Sequence, residues 1–549
     1  METHVPKLLD CTLEDLYKGV EEGSFTSVQL VEAYLARIEE VNDEFRAVIE
    51  TNPDAMEIAR RLDEERRSAR KGSLGLLHGL PILLKDNIVT IDRMQATCGS
   101  LALVGAKPER ESAITTCLRQ SGAVILGKAN MAEWAGFRST SGCTGWSARG
   151  GQAKGIFVPG MKASGSSTGS AIAVALGLAA ASIGSETIFS IVSPAERCGI
   201  IGFKPSRGML PSEDIIFASQ RLDTLGILSR TVKDSLTVLC ELTSQAGGHI
   251  RGHPRDMLRR SICRSCSSLD LRGMRIGIPG NICELKDIHS ARLKEFEKIQ
   301  ALLQTLGVEI VQDVNIVGAE EFENLPQTSK EIIFDTDLKI AINSYFKNLK
   351  DTPEGIRSLQ DLIDCTKSCK AEEYPQRNVA GFERAQQTNP DAILYKRMLK
   401  REAYFAKKGG IAGALDHYDL DVLLVPALSV TMQTFATMAG SPVMSVPLGI
   451  FPPATKVEHD AKNGFVTVAA GIPFSAFIFG RKYADGDVLA VGDALERATN
   501  VRERLKPYKL PTSDLVDFVR KEEIDRRESI SSDSSSLSLN RRLLIEPVS

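Results

Sequence analysis

The stretch from Ser164 to Arg207 most constrains what this chain can fold into. Ala171 to Gly184 is a fourteen-residue run of almost wholly small or aliphatic residues. A polar, serine-bearing loop stands at each end, Ser164 to Ser170 before it and Ser185 to Ser190 after it. The apolar Gly199 to Phe203 follows. A bilayer span needs about 20 apolar residues, so the run is too short to cross a membrane. A helix that is apolar all round is one buried in a large core. The run therefore predicts a helix buried on all sides, with a serine loop at either end.

A core of that kind needs a large body around it. The 549 residues suffice for one extended α/β core or for more than one domain. Apolar residues make up 43% and charged residues 25%, as in a soluble globular protein. A net charge of −3 gives no reason to expect nucleic acid or an acidic membrane surface as partner. The eleven cysteines have no framework spacing, and the start, M-E-T-H-V-P-K, has no apolar signal region. A reduced, cytoplasmic setting is the expectation. Cys263 and Cys266 form a single CxxC without a second pair or a nearby histidine, and are not read as a zinc or redox site.

Along the chain, Thr12 to Gly23 and Thr26 to Val41 read as amphipathic helices. Thr12 and Thr26 are the expected N-caps and Gly23 a C-cap. Asn52 to Arg70 reads as a charged helix, so residues 1–70 are expected to form a helical packing layer. From Leu77 short apolar strands alternate with helices: Leu80 to Leu84, then the helix Ala113 to Ser121, then Ala123 to Leu126. This alternation argues for an α/β sheet. Residues 235–395 carry charged helical patterns and one clear strand, Arg275 to Ile278. Asp421 to Val425, Val443 to Pro447 and Phe474 to Phe479 read as further core strands, and Leu495 to Leu505 as a closing helix. Residues 71–510 are expected to form the main α/β domain. After Pro511 the chain turns polar, with a serine-rich run from Ser529 to Ser538, and residues 511–549 are expected to be a disordered tail.

Several motifs compete for a function. Gly122 to Lys128 matches GxxxxGK, but its middle reads as a strand and Ala129 follows the lysine, so it lacks the turn and hydroxyl of a phosphate loop. Gly165 to Gly169 matches GxSxG, the nucleophile turn of an α/β-hydrolase esterase with Ser167 as nucleophile. The residues before it do not read as a strand, and a Ser/Gly-rich helix cap is the plainer reading. His78, beside a strand, reads as a hydrogen-bonded structural residue. Lys85 follows four mostly aliphatic positions at the end of a predicted strand; a surface lysine is the usual reading, and spacing alone does not single it out among the 67 basic residues. A desolvated lysine has a lowered pKa, and its neutral amine can take a proton from a serine hydroxyl.

Separated motifs in one order resemble the amidase signature family over about residues 10–508. They are Gly79-Leu-Pro-Ile-Leu-Leu-Lys85-Asp-Asn87, the loop 164–170, Gly184-Ser-Glu-Thr-Ile-Phe-Ser190 and Gly199-Ile-Ile-Gly-Phe-Lys-Pro205. Lys128 to Ala135, Asp223 to Gly226 with Arg230, and Ala439 to Leu448 belong to the same set. Gly145 to Gln152 is similar to the peptide-amidase branch and its fungal relatives. The resemblance implies a large mixed β-sheet covered by helices on both faces. It implies a Ser–cis-Ser–Lys triad whose two serines lie 24 residues apart, as Ser166 and Ser190 do here. Ser190 matches the nucleophile, Ser166 the bridging serine and Lys85 the base, with the Gly165–Ser166 peptide cis. The backbone amides of Ile188, Phe189 and Ser190, with Thr187 at the edge, match the oxyanion loop, and Trp134 and Ala135 match the pocket lining. The implied reaction is hydrolysis of a small or peptide-like amide through an acyl-enzyme, without metal or cofactor. A homodimer is compatible with the family, and so is a transamidating subunit, although the Gly145–Gln152 motif favours a free-standing enzyme.

The chain also departs from the family pattern. Ile188-Phe189 stands where Gly-Gly or, in the peptide-amidase branch, Asp-Gly is common, Val192 where many members have Arg although the peptide-amidase branch shares this Val, and Ser164 and Thr168 where glycines are common. A bulky residue at a position needing positive φ is strained. This leaves an alternative expectation: a catalytically weakened homologue that binds an amide-like ligand or serves in an assembly.

Overall fold

Eleven strands form one mixed sheet in the computed structural model, which describes residues 5–141, 144–245, 271–352 and 355–521. In chain order they are β1 (Val48–Thr51), β2 (Pro81–Lys85), β3 (Val124–Ala129), β4 (Ala181–Glu186), β5 (Ile201–Lys204), β6 (Thr224–Ser229), β7 (Arg275–Pro279), β8 (Glu309–Val314), β9 (Val422–Val425), β10 (Val443–Ile450) and β11 (Pro473–Gly480). Their order across the sheet is β1-β3-β2-β4-β6-β5-β10-β11-β9-β7-β8. β3, β2 and β4 run parallel, and so do β9, β7 and β8, while the strands between them are antiparallel. The fold is thus the expected α/β class built on a large mixed sheet. Among the described residues no helix is long and apolar enough to cross a membrane.

Local signals explain the N-terminal helices. α1 (Leu13–Glu22) and α2 (Ser27–Phe45) begin at Thr12 and Thr26, whose side chains each accept the backbone N–H three residues on. Gly23 closes α1 in the left-handed conformation. α3 (Ala55–Ser68) follows. Between α2 and α3 the sequence reading has no strand, yet β1 pairs antiparallel with β3 and forms one edge of the sheet. Its partner supplies what its own four residues lack.

The central run corrects the expectation of one long helix. Only Thr168–Ala175 is helical (α4), and Ala181–Glu186 is strand β4. The break falls at Gly177, whose φ of +64° ends the helix as glycine commonly does. Aliphatic residues buried on all sides suit a buried helix and a central parallel strand alike, so composition could not separate the two. The pairing of β4 with β2 on one side and β6 on the other decides it.

Three further expectations shift. Strand β8, with Glu309, Gln312 and Asp313 exposed and no alternation, was not distinguishable from the helical patterns around it. The closing helix runs from Asp485 to Thr499, starting ten residues before the periodic signal became clear, and stops at Asn500 with φ +41°. Residues 512–521, read as part of a polar tail, pack on the N-terminal helices. Leu515 is fully buried, Asp514 accepts the Leu8 N–H at 2.9 Å, and Glu40 accepts from Thr512 and Ser513. The serine run Ser529 to Ser538 and the Cys263–Cys266 pair lie outside the described residues.

Candidate active site

Parallel strands deliver their C-terminal ends to one edge, where open α/β sheets hold their ligands. β2 and β4 are such neighbours, with Leu84 level with Ile183. Lys85, the last residue of β2, therefore meets Ser185 near the end of β4. Lys85 Nζ lies 2.9 Å from both the Ser185 carbonyl and Ser185 Oγ, and 2.7 Å from Ser166 Oγ. Lys85 is fully buried, and desolvation pulls its pKa down to about 7 against the weaker opposing pull of Cys98, Asp223 and Glu186. An amine of that acidity is partly neutral near neutral pH and can accept a hydroxyl proton.

The helix–strand unit brings the two serine loops together. α4 leads roughly 12 Å away from Ser166, and β4 returns about 20 Å toward Ser190. The Ser167 N–H donates to the Ser190 carbonyl at 3.0 Å, joining the loops directly. The Gly165–Ser166 peptide is cis. Ser166 and Ser190 both line an open cleft of about 550 Å³, with Ala135, Phe137, Ile188, Phe189, Lys162 and Asp460 among its walls.

The turn from Thr187 to Ser190 is held at its two ends. The Thr187 hydroxyl donates to Asp223 at 2.6 Å, and the Thr187 carbonyl accepts from Thr437 at 2.6 Å. Asp223 is buried, and burial raises its carboxyl to about 6. Beyond the turn, Glu186 accepts the N–H groups of Ile191 and Val192 at 2.7 and 3.2 Å. Among the described residues no acceptor in the protein meets the N–H groups of Thr187, Ile188, Phe189 and Ser190. Of the two bulky residues before Ser190, only Phe189 has positive φ, +49°. Its side chain packs on the apolar cluster that contains Val192, Phe435 and Phe477.

Other sequence-selected residues fall elsewhere. Ala135 lines the cleft, but Trp134 does not. The Trp134 ring is buried against Phe382 and Phe346, with centroids 5.9 and 6.4 Å away. Ser167 is fully buried at the start of α4, and its hydroxyl donates to the Ser185 carbonyl at 3.1 Å. No strand precedes it, so the esterase turn does not form. Lys128 lies in strand β3, which removes the phosphate-loop reading. His78 is a buried structural residue, 2.8 Å from Arg66, and burial lowers its pKa.

Sequence reasoning missed Ser185, which receives both Lys85 and, at 3.0 Å, the Asn87 side-chain amide. Its signal was its place near the end of a strand parallel to that of Lys85, which is visible only once the run is divided. It also missed Lys162 and Asp460, paired at 2.7 Å on the cleft wall, since no local pattern links residues so far apart.

The Amidase family model matches residues 29–489. A curated relative from Arthroderma benhamiae, grouped by name with the amidases, is 34% identical over 538 residues, which cover 93% of this chain and 89% of that protein. A peptide amidase from Stenotrophomonas maltophilia is 29% identical, with a TM-score of 0.77 over 92% of this chain and 99% of its own. A peptide amidase in complex with the competitive inhibitor chymostatin is 30% identical, with a TM-score of 0.78 over 91% of this chain and 99% of its own. Matched from its second helix to its closing helix, and superposed on solved relatives over nine-tenths of its length, the chain belongs to the amidase signature family, whose amidases hydrolyse amide bonds.

Proposed function

We propose that the chain hydrolyses the C–N bond of a linear carboxamide in a small or peptide-like substrate by acyl transfer, with Ser190 as nucleophile, Ser166 as bridging hydroxyl and Lys85 as base. The observation that carries this reading is the buried Lys85 amine 2.7 Å from Ser166 Oγ, beside a cleft lined by Ser166 and Ser190. Neutral Lys85 takes the Ser166 proton as Ser166 takes that of Ser190. Ser190 Oγ bonds to the acyl carbon, the C–N bond breaks, and the proton returns to the departing nitrogen. Water then repeats the sequence on the acyl-enzyme and frees the acid. The carbonyl oxygen carries negative charge in both transition states, and the unpaired N–H groups of Ile188, Phe189 and Ser190 are the donors for it. Removing one such donor typically costs about 10²–10³ in rate. The likeness to peptide amidases supports a peptide-like amide.

Ser190→Ala, assayed on a panel of primary amides with hydroxylamine trapping of the acyl group, tests this. Activity and trapping are expected to vanish, and unchanged turnover would refute the assignment. A second reading, a weakened homologue that binds rather than turns over its ligand, is favoured by the left-handed Phe189 in the donor turn. A fluorophosphonate probe separates the two. Labelling of Ser190 that depends on Lys85 supports the enzyme, and absence of labelling supports the binder.

A further inference from the structure

A second, much smaller cavity of about 10 Å³ adjoins the cleft, and Ser166 and Ala135 line both. Its other walls include Asn87, Trp134, Ser185, Thr187 and Asp223. Such a volume holds about one water-sized molecule. Two wall residues carry buried polar atoms without a partner in the protein, Asn87 Oδ1 and Trp134 Nε1. Each residue is only 2% exposed. The orientation of the Asn87 amide is set by chemistry, because its nitrogen faces the Ile216 carbonyl at 3.0 Å, which can only accept.

Ser185 adds a third unmet group. Its Oγ accepts from Asn87 Nδ2 and, when Ser166 donates to the lone pair of neutral Lys85, also from a Lys85 N–H. In that arrangement both lone pairs are used, and the Ser185 proton needs an acceptor other than Lys85. Among the described residues no carbonyl, carboxylate or hydroxyl oxygen is placed to accept it. Asp223, the carboxylate on the chamber wall, accepts from the Thr187 hydroxyl and the Ala218 N–H and makes no hydrogen bond with Ser185. The residues lining the chamber thus carry two donors, Trp134 Nε1–H and Ser185 O–H, and one acceptor, Asn87 Oδ1, without a partner in the protein. A molecule that accepts twice and donates at least once satisfies all three. Water does so, whereas ammonia has one lone pair and would leave a donor unmet.

We propose that this chamber is a single-water site formed by Asn87, Trp134 and Ser185, and that the water positions the base by keeping the lone pair of Lys85 directed at Ser166. The functional half of the inference rests on the triad reading above. Without an acceptor in the chamber, the Ser185 proton would turn to the Lys85 nitrogen and compete with Ser166 for its lone pair. With one, Ser185 only accepts from Lys85, and Ser166 is the one hydroxyl that donates to it.

A crystal structure of the intact chain at a resolution that defines ordered water tests the site without any assay. One density peak within hydrogen-bond distance of Asn87 Oδ1, Trp134 Nε1 and Ser185 Oγ is expected. A dry chamber, or one closed by a shifted side chain, overturns the proposal. The chain has two tryptophans, Trp134 and Trp146, so the Trp134 indole proton can be assigned by comparing the wild type with Trp134→Phe. A cross-relaxation signal from that proton to water is expected, and its absence also counts against the site. Trp134→Phe keeps an aromatic ring of smaller size and removes the donor, and kcat about three- to tenfold lower with KM held is the expected cost of one neutral hydrogen bond at the base. An unchanged kcat together with an observed water would overturn the positioning role alone. Loss of Ser190 labelling by a fluorophosphonate in the wild type would refute the triad reading while leaving the water site intact.

Discussion

At the residue scale the chemistry turns on Lys85 and Phe189. Burial lowers the Lys85 pKa to about 7, and the base acts in its neutral form, so falling pH removes it. We expect kcat/KM to drop about tenfold per unit below that value and to level off above it, read from a pH–rate profile. Lys85→Ala should lower kcat by about 10²–10⁴ and erase that limb. Phe189 holds a left-handed conformation that costs an L-residue about 1–2 kcal/mol. Its half-buried ring returns a similar amount, since full burial is worth about 1.5–3 kcal/mol. Phe189→Gly should therefore change stability by no more than about 1 kcal/mol in urea unfolding. The same change should widen the cleft, seen as a larger gain in kcat/KM for bulky amides than for small ones. The identity of Phe189 at this position was legible in the sequence. Its φ was not, because which of two adjacent bulky residues takes the strained conformation depends on where the chain must enter the helix Val192–Cys198.

At the element scale the unit that matters is α4, the corner at Gly177 and β4. A Cβ at Gly177 would sit 2.7 Å from the Leu8 carbonyl oxygen, on a backbone with φ +64°. Gly177→Ala combines left-handed strain with overpacking, and we expect a loss of about 2–4 kcal/mol measured by chemical denaturation. The caps of α1 and α2 were readable because a cap is a contact between residues three apart. The division of the central run was not, because strand β4 exists by virtue of β2 and β6, which are distant in sequence. The glycine that ends α4 was a sign in plain view, but an apolar run on both sides of it masked the change of period.

At the scale of the whole molecule the two chain ends meet around that corner. Arg37 of α2 is buried and donates to the carbonyls of Leu176, Gly177 and Ser513. Leu515 and Val519 belong to the main apolar cluster. A chain ending at residue 510 should be less stable than one ending at 521 by about 3–5 kcal/mol, from two lost apolar side chains and the orphaned Arg37 contact. Midpoints of thermal or urea unfolding for the two truncations check this. The sequence by itself determined what short-range physics determines: helix caps, the strand that ends in Lys85, and two serine loops at a spacing matched by a known family. Only the tertiary structure decided which polar groups meet. Parallel pairing of β2 with β4 sets Lys85 against Ser185 and Ser166, and a loop near residue 460 closes the cleft wall. The physical reason is that desolvation and hydrogen-bond partnership are properties of neighbours in space. No local period encodes a neighbour some hundred residues away.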